Sequence, residues 1–505
     1  MARQSRVKGV VISYATTVVR TLSKFLLIPL YLRVLGVDEY GFYEYVFSIA
    51  SYAVILDFGI SSVVNTFAIH KREQGDEDGV ENVMFYALMF SLAAAMVIAI
   101  GGLVIGIGAP VVFGAKVAGR VGLTRKLLAL MIAELVLLMF QHYFEGVILA
   151  AEKYVTLRGV ALVQIILRCV ITILLLFSHV GVMSIAIGDF VGVGLCLLYE
   201  IFYCKRELHL KIKYHGRDTE LLGAISKLAF ALCLQSVVQY LNSSIDKYIL
   251  GRCINTAVVT VYSVALTFSA FFDEIPTAIQ RLYLPQVVKM VASGADGEEM
   301  TDFVIKPGRY QAMLCLGVLG GFILFGKQFI QMWSGEETLD AWAIALYLMV
   351  PSVLPLVQNV CISILTAMNK RLFRSYVLCG IALLNLGLTV LLVKKIGLMG
   401  APLATCISLI LGNNIAMNIY YEKYIHINVR RLFASILKGI LPCAIVVTII
   451  CIPLQMVQRS GVTWFLAECC IFSLIYGAAL WLFGMNSEEK SDVRKIMNKK
   501  LKRAQ

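Results

Sequence analysis

The sequence predicts an all-α polytopic membrane protein of about 14 transmembrane helices, in two pseudo-symmetric six-helix lobes plus two C-terminal helices. Three observations predict it. The 505-residue chain is 59% hydrophobic and 15% charged, with a mean hydropathy of +0.81; a soluble domain carries about a quarter charged residues. Apolar runs of about 20 residues, the length that crosses a bilayer as a helix, recur from end to end. The second half also repeats the layout of the first. Leu35-Gly36 closes the first run and Leu250-Gly251 the seventh, and Gly181-Val182-Met183-Ser184 returns as Gly397-Leu398-Met399-Gly400 at nearly the same offset. Duplicated lobes of membrane helices are a transporter layout, with the substrate site expected between the repeats.

In chain order the expected helices are 9–35, 41–69, 82–108, 127–149, 155–178, 182–203, 221–250, 256–285, 308–333, 340–367, 373–393, 398–421, 431–456 and 462–484. They divide into an N-terminal lobe (1–203), a basic cytoplasmic linker (204–220), a C-terminal lobe (221–421), two further helices (431–484) and a basic cytoplasmic tail (485–505). Unbroken runs such as Met84 to Ile107 exclude a β-barrel, leaving helices as the way to satisfy the backbone in lipid. The first run is too long for a cleaved signal peptide and contains Arg20 and Lys24, so it reads as the first membrane helix. Connections are short, with no room for an outer catalytic domain. That favours transport over glycan polymerisation or ligation, and the chain reads as no enzyme.

The net charge of +13 does not point to nucleic acid, because the basic residues collect in alternate loops. Arg3, Arg6 and Lys8; Lys71 and Arg72; Lys205 to Arg217; Lys370 to Arg374; Arg430 and Arg431; and the tail from Lys490 to Arg503 would all lie on one side. The positive-inside rule then puts both termini in the cytoplasm, and the tail can rest on anionic lipid. One loop breaks the alternation, with Lys116, Arg120, Arg125 and Lys126, so the helix boundaries near 110–126 are the least defined. The 13 cysteines are scattered through apolar runs without a CxxC or Cys/His cluster, and read as packing residues. No metal and no cofactor are expected.

Ionisable residues at bilayer depth are expensive and face a cavity or each other. Arg20 and Lys24, four apart, share one face of the first helix. With Arg168 and Arg281 they make a candidate cationic cavity that would grip a phosphate or diphosphate, Arg in bidentate fashion and Lys as a point charge. The alternative is internal pairing of Arg20 or Lys24 with Glu44 or Asp57. Lys227 and Lys247, near helix ends, are expected to snorkel. Asp57, Glu134 and Asp273 are candidates for coupling to H+ or Na+. Gln164, Gln235, Gln239, Asn242, Asn359 and Asn385 are candidates for a polar lining that meets sugar hydroxyls, or for plain interhelical hydrogen bonds. His142 lies beside Glu145, without a third metal ligand nearby.

From Leu26-Leu27-Ile28-Pro29-Leu30-Tyr31-Leu32-Arg33-Val34-Leu35-Gly36-Val37-Asp38-Glu39-Tyr40-Gly41-Phe42-Tyr43 to Ile55-Leu56-Asp57-Phe58-Gly59-Ile60 the chain resembles the polysaccharide-transport branch of the multidrug/oligosaccharidyl-lipid/polysaccharide exporter superfamily, the Wzx-type repeat-unit flippases. The resemblance is sharp over about residues 10–70 and extends in layout over the whole chain. It implies movement of a polyprenyl-diphosphate-linked oligosaccharide from the inner to the outer leaflet of a bacterial cytoplasmic membrane, by alternating access of a monomer. Membrane lipids, a polysaccharide polymerase and chain-length machinery are the implied partners. The Leu-Gly-x-x-x-Tyr-Gly stretch reads as a structural turn rather than a binding site. A lipid II flippase and a multidrug exporter of the same superfamily stay open as alternatives.

Overall fold

The computed structural model describes residues 2–456 and 461–504, all helix and short connections without a strand among them. Each of the fourteen expected segments is helical. Ten helical stretches of described residues are long and apolar enough to cross a membrane, or eleven with a pair bent by 41° at residues 429–454. One of the ten, Phe373–Tyr424, is 52 residues long and takes in two of the expected segments, 373–393 and 398–421. The chain is a multi-pass membrane protein. It divides into two compact units, Met1–Thr260 and Val261–Gln505.

The first unit holds α1 (Ala2–Leu35), α2 (Val37–Ala50), α3 (Ile60–Glu73), α4 (Glu77–Ile107), α5 (Ala109–Phe113), α6 (Val121–Ala150), α7 (Tyr154–Phe177), α8 (Met183–Arg206) and α9 (Thr219–Cys253). By contacts α9 packs with α2 and α3 of this unit. Gly36, at φ 84, turns the chain from α1 into α2; only glycine takes that conformation freely. Gly41, five residues on, lies against the start of α10 (Thr256–Ala292): a Cβ there would come 1.9 Å from the Thr256 carbonyl oxygen. The motif Gly36 to Gly41 is therefore a turn, as read from the sequence, followed by a close backbone approach that only the structure shows.

The second expected helix is interrupted. α2 tightens into a 3-10 segment, Ser51–Asp57, and then Phe58 (φ 51) and Gly59 (φ 58) are both left-handed before α3 begins. For Phe58 that conformation costs about 1–2 kcal/mol. Beyond the break, Val63, Val64 and Ala68 of α3 pack with Val83 and Ala87 of α4 and Tyr143, Val147 and Ile148 of α6 in one buried cluster. Gly146 lets α6 approach α3, since a Cβ there would stand 2.9 Å from Ser61 Cα. Small residues allow such close packing of membrane helices. α7 shows the lipid-facing side of the design, being strongly apolar and little buried, with Leu174 and Phe177 exposed.

The basic loop that breaks the charge alternation has structural uses. Arg120 pairs with Glu39 at 2.6 Å, and Arg125 donates to the carbonyls of Gly106 (3.0 Å) and Ile107 (3.3 Å) at the end of α4. A basic side chain on the last carbonyls of a helix is stabilising. Lys116 lies outside the described side chains.

The second unit contains α10 from Val261 onward, α11 (Gly297–Ser334), α12 (Ala341–Val357), α13 (Val360–Ala367), α14 (Arg371–Ile396), α15 (Gly400–Leu409), α16 (Met417–Tyr424), α17 (Val429–Leu437), α18 (Ile440–Ile450), α19 (Ile452–Met456), α20 (Val462–Ala479) and α21 (Ser487–Ala504). α12 and α13 are one expected helix broken at Gln358-Asn359; α15 and α16 are joined by a π-helical turn, Ile410–Ala416. α11 is the hub, packing on α12, α17, α18 and α20. Asp296 caps its start by accepting from the Glu299 N–H at 2.8 Å, worth about 1 kcal/mol.

Candidate cationic site of the first unit

α1 carries Arg20 and Lys24 one turn apart, both exposed, and neither has an ion-pair partner among the described residues. The two carboxylates that sequence reasoning offered them are taken elsewhere. Lys247 Nζ of α9 donates to Glu44 Oε2 at 2.7 Å, while Tyr40 Oη donates to Glu44 Oε1 at 2.9 Å. His142 Nδ1 of α6 lies 2.7 Å from Asp57 Oδ1, at the break between α2 and α3. Lys247 therefore does not snorkel; it is bound within the unit. Lys24 stands in the combined field of Arg168, Arg20, Glu44 and Lys247, so three other positive charges act on it against one carboxylate.

Arg168 of α7 is held at one edge. Its Nε is ion-paired with Asp189 of α8, to which Tyr43 Oη also donates at 3.4 Å. Asp189 is buried, whereas 43% of the Arg168 side chain is exposed. One edge of the guanidinium is thus fixed and neutralised while the rest faces open space. Glu134 of α6 shares the field of Asp189 and Arg168. A positioned guanidinium of this kind can still offer donors to an anionic oxygen.

The amides divide. Gln164 is tied to Gln141 by reciprocal bonds of 2.9 and 3.4 Å, and Gln141 also reaches buried Glu200 at 3.4 Å. Asn385 is buried and accepts from Thr389 (3.3 Å) and Thr405 (3.2 Å), joining α14 to α15. These two make interhelical bonds. The side chains of Gln235, Gln239 and Asn242 lie outside the described residues. In the second unit Arg281 is exposed on α10, and Asn359 Nδ2 donates to Thr277 Oγ1 at 3.5 Å. Asp273 of α10 has a buried carboxyl oxygen that accepts no hydrogen bond among the described residues.

Sequence reasoning missed the densest polar knot of the second unit. Arg309 of α11, 3% exposed, donates to Glu489 (2.6 and 3.2 Å) of α21 and to the carbonyls of Ser435, Lys438 and Gly484. It ties α21, the α17–α18 bend and the end of the α20 helix together. Lys306 on the same helix pairs with Glu488 and Asp492, both at 2.9 Å. The available signal was an arginine inside the run after Pro307 together with the acidic start of the tail.

Fold and site define a polytopic all-helical membrane protein whose first helix carries two cations, Arg20 and Lys24, without an ion-pair partner among the described residues. Residues 31–343 match the family described as "Polysaccharide biosynthesis protein", and the chain belongs to that family. It is 21% identical over 393 residues to a protein named as an O-antigen transporter of Shigella flexneri, covering 75% of this chain and 89% of that one. It is 25% identical over 260 residues to a protein named as the flippase AglR of Haloferax volcanii, about half of each chain (50% and 52%). Among solved structures it resembles the lipid II flippase MurJ in an inward closed conformation, with TM-score 0.73, 14% identity and coverage of 94% and 98%. A multidrug resistance MATE transporter of the MOP superfamily in an inward-facing conformation aligns with TM-score 0.62 at 13% identity, over 79% and 93% of the two chains. The chain is thus a multi-pass membrane protein of the polysaccharide biosynthesis family, with the fold seen in the MurJ and MATE structures.

Proposed function

We propose that the protein moves a polyprenyl-diphosphate-linked oligosaccharide repeat unit from the inner to the outer leaflet of a bacterial cytoplasmic membrane, with both termini cytoplasmic. The observation that carries the reading is the pair Arg20 and Lys24, exposed on α1 and unpaired while Glu44 and Asp57 are occupied by Lys247 and His142. Family membership and the relatives named as O-antigen transporter and flippase support the substrate class.

The physics of the step is desolvation. Carrying a diphosphate and its sugars through hydrocarbon strips water from charges and hydroxyls at a cost no thermal fluctuation meets. Arg20, Lys24 and the open edge of Arg168 replace that water with charged donors. The polyprenyl tail stays in lipid. Alternating access of the two lobes would expose the headgroup to one side and then the other. No reaction on the substrate is needed. A cationic site also holds a diphosphate against release, so product removal or a coupled ion must drive turnover.

The test is genetic and chemical. A strain carrying Arg20→Ala with Lys24→Ala should accumulate the lipid-linked oligosaccharide, shielded from membrane-impermeant reagents, while the variant reaches the membrane at normal levels. Normal surface glycan in that strain contradicts the reading.

A further inference from the structure

A groove runs along the second unit between α11 and α20, and the start of α21 closes one end of it. Its volume is about 680 Å³, within the roughly 300–1,000 Å³ of small-molecule sites. Leu314, Val318 and Phe329 of α11 and Phe465 and Phe472 of α20 line it, so it is apolar along its length. Two glycines shape it. Gly317 admits the Tyr476 ring, since a Cβ there would stand 2.5 Å from that ring, and the Tyr476 hydroxyl donates to the Met313 carbonyl at 2.8 Å. A Cβ at Gly477 would meet nothing within 4 Å, so the space beside it is open. Leu314 and Val318 are exposed, which opens the groove toward lipid.

The closed end is charged. Met485 and Val493 of the tail segment line it together with Tyr310 and Leu480. The tail is fixed in place there, because Lys306 Nζ pairs with Asp492 at 2.9 Å and Tyr310 Oη donates to Asp492 at 3.2 Å. Arg494 follows Val493, and its guanidinium stands 5.6 Å from the centre of the ring of Trp481, the residue after Leu480. Lys490 lies one turn before Arg494 on the same side of α21. Neither cation has an ion-pair partner among the described residues, since Glu488, Glu489 and Asp492 are taken by Lys306 and Arg309. Trp481, with Leu482 and Phe483 exposed after it, marks the edge of the hydrocarbon. Two unpaired cations therefore stand at the end of an apolar groove, at the level of lipid phosphates.

We propose that the groove holds one acyl chain of an anionic glycerophospholipid, with its phosphate on Lys490 and Arg494. The charges are complementary, and a guanidinium offers a phosphate two parallel N–H donors. A basic pocket at the ends of membrane helices is suited to such a headgroup. Arg494 is held over Trp481 before any lipid arrives, so little further order is lost on binding. The lipid joins α20 to α21 across the turn at Met485 and fixes the tail helix beyond its ion pairs. The site lies wholly in the second unit and is independent of which cargo the protein carries.

The experiment is native mass spectrometry of the purified, delipidated full-length protein in detergent, titrated with phosphatidylglycerol, phosphatidylcholine or a polyprenyl monophosphate. About one phosphatidylglycerol per chain is expected, held about tenfold more tightly than phosphatidylcholine. Lys490→Ala with Arg494→Ala should remove that preference and leave the weaker binding common to both lipids. Gly477→Leu fills the open space without displacing an atom and should weaken both lipids about tenfold. Should one variant fail to fold, the other decides. Equal retention of the two phospholipids by the wild type overturns the proposal, and so does wild-type behaviour of either variant. A polyprenyl monophosphate that displaces phosphatidylglycerol at equal concentration overturns it in favour of the carrier lipid. A dimer in place of the lipid adduct overturns it in favour of a second copy of the chain. Cells whose lipids stay unchanged on depletion of the protein would contradict the flippase reading and leave this site standing.

Discussion

Arg20 and Lys24 differ from Lys247 and Arg168 in having no carboxylate of their own among the described residues. Removing them should therefore leave stability almost unchanged, within about 0.5 kcal/mol as for other exposed side chains. Each charge-assisted contact to substrate lost should lower transport about tenfold or more. Thermal stability and export measured on the same double variant check this. Arg168 should behave in the opposite way. Arg168→Ala leaves the buried Asp189 carboxylate without its counter-ion, which costs about 3 kcal/mol. Asp189→Asn should cost less, because the half-exposed guanidinium can turn to water. Comparing the melting temperatures of the two variants tests that asymmetry.

The same contrast shows what a sequence reveals. Hydropathy and spacing place Arg20 and Lys24 on one helical face. Whether Glu44 answers Lys24 or Lys247 is a fact of tertiary packing, because Lys247 is 203 positions away.

Among the elements, the first turn of α2 and the tail helix α21 carry the sharpest expectations. Gly41→Ala would drive a methyl group into the Thr256 carbonyl. Backbone cannot yield as a side chain does, so the cost should reach about 1–3 kcal/mol, visible as reduced yield and melting temperature. α21 is docked by Arg309 on Glu489 and by Lys306 on Asp492. Arg309→Ala leaves Glu489 buried and unpaired, a loss of about 3–5 kcal/mol, and should open residues 485–495 to limited proteolysis. Docking should also depend on pH. The Lys306 ammonium beside Asp492 holds its carboxyl below the ordinary 3.8. A depressed carboxyl stabilises the docked form above that value and loses the contribution as pH falls through the folded value. Protease sensitivity of α21 should therefore rise as pH falls below the ordinary carboxylate value of 3.8 and stay flat near neutrality.

Helix positions were legible because runs of about 20 apolar residues have one solution in lipid. The breaks were not. Phe58 in a left-handed conformation carries no local signal, and the Gln358-Asn359 break shows only as polar residues after Pro351 and Pro355. Both are held by partners on other helices, His142 for the first and Thr277 for the second. Arg309 escaped notice because it sits at the edge of an apolar run, where an arginine ordinarily reaches water.

At the scale of the whole molecule, each unit combines an apolar exterior with a small number of enclosed polar points. The exposed Leu103, Val104 and Ile107 of α4 and Leu174 and Phe177 of α7 show that exterior in the first unit. The polar points are where function is expected, because bilayer depth makes an unneeded charge expensive. The fold resembles that of the lipid II flippase MurJ over 94% of the chain. That likeness speaks for architecture; the cargo must be read from cells.

The most direct measurement is the mass spectrum of polyprenyl lipids from cells depleted of this protein, combined with their accessibility to an impermeant reagent. The expected result is accumulation of a polyprenyl-diphosphate oligosaccharide confined to the inner leaflet, reversed by the wild-type protein and not by Arg20→Ala with Lys24→Ala. Accumulation of the peptidoglycan precursor instead, or an unchanged lipid profile, would contradict the account.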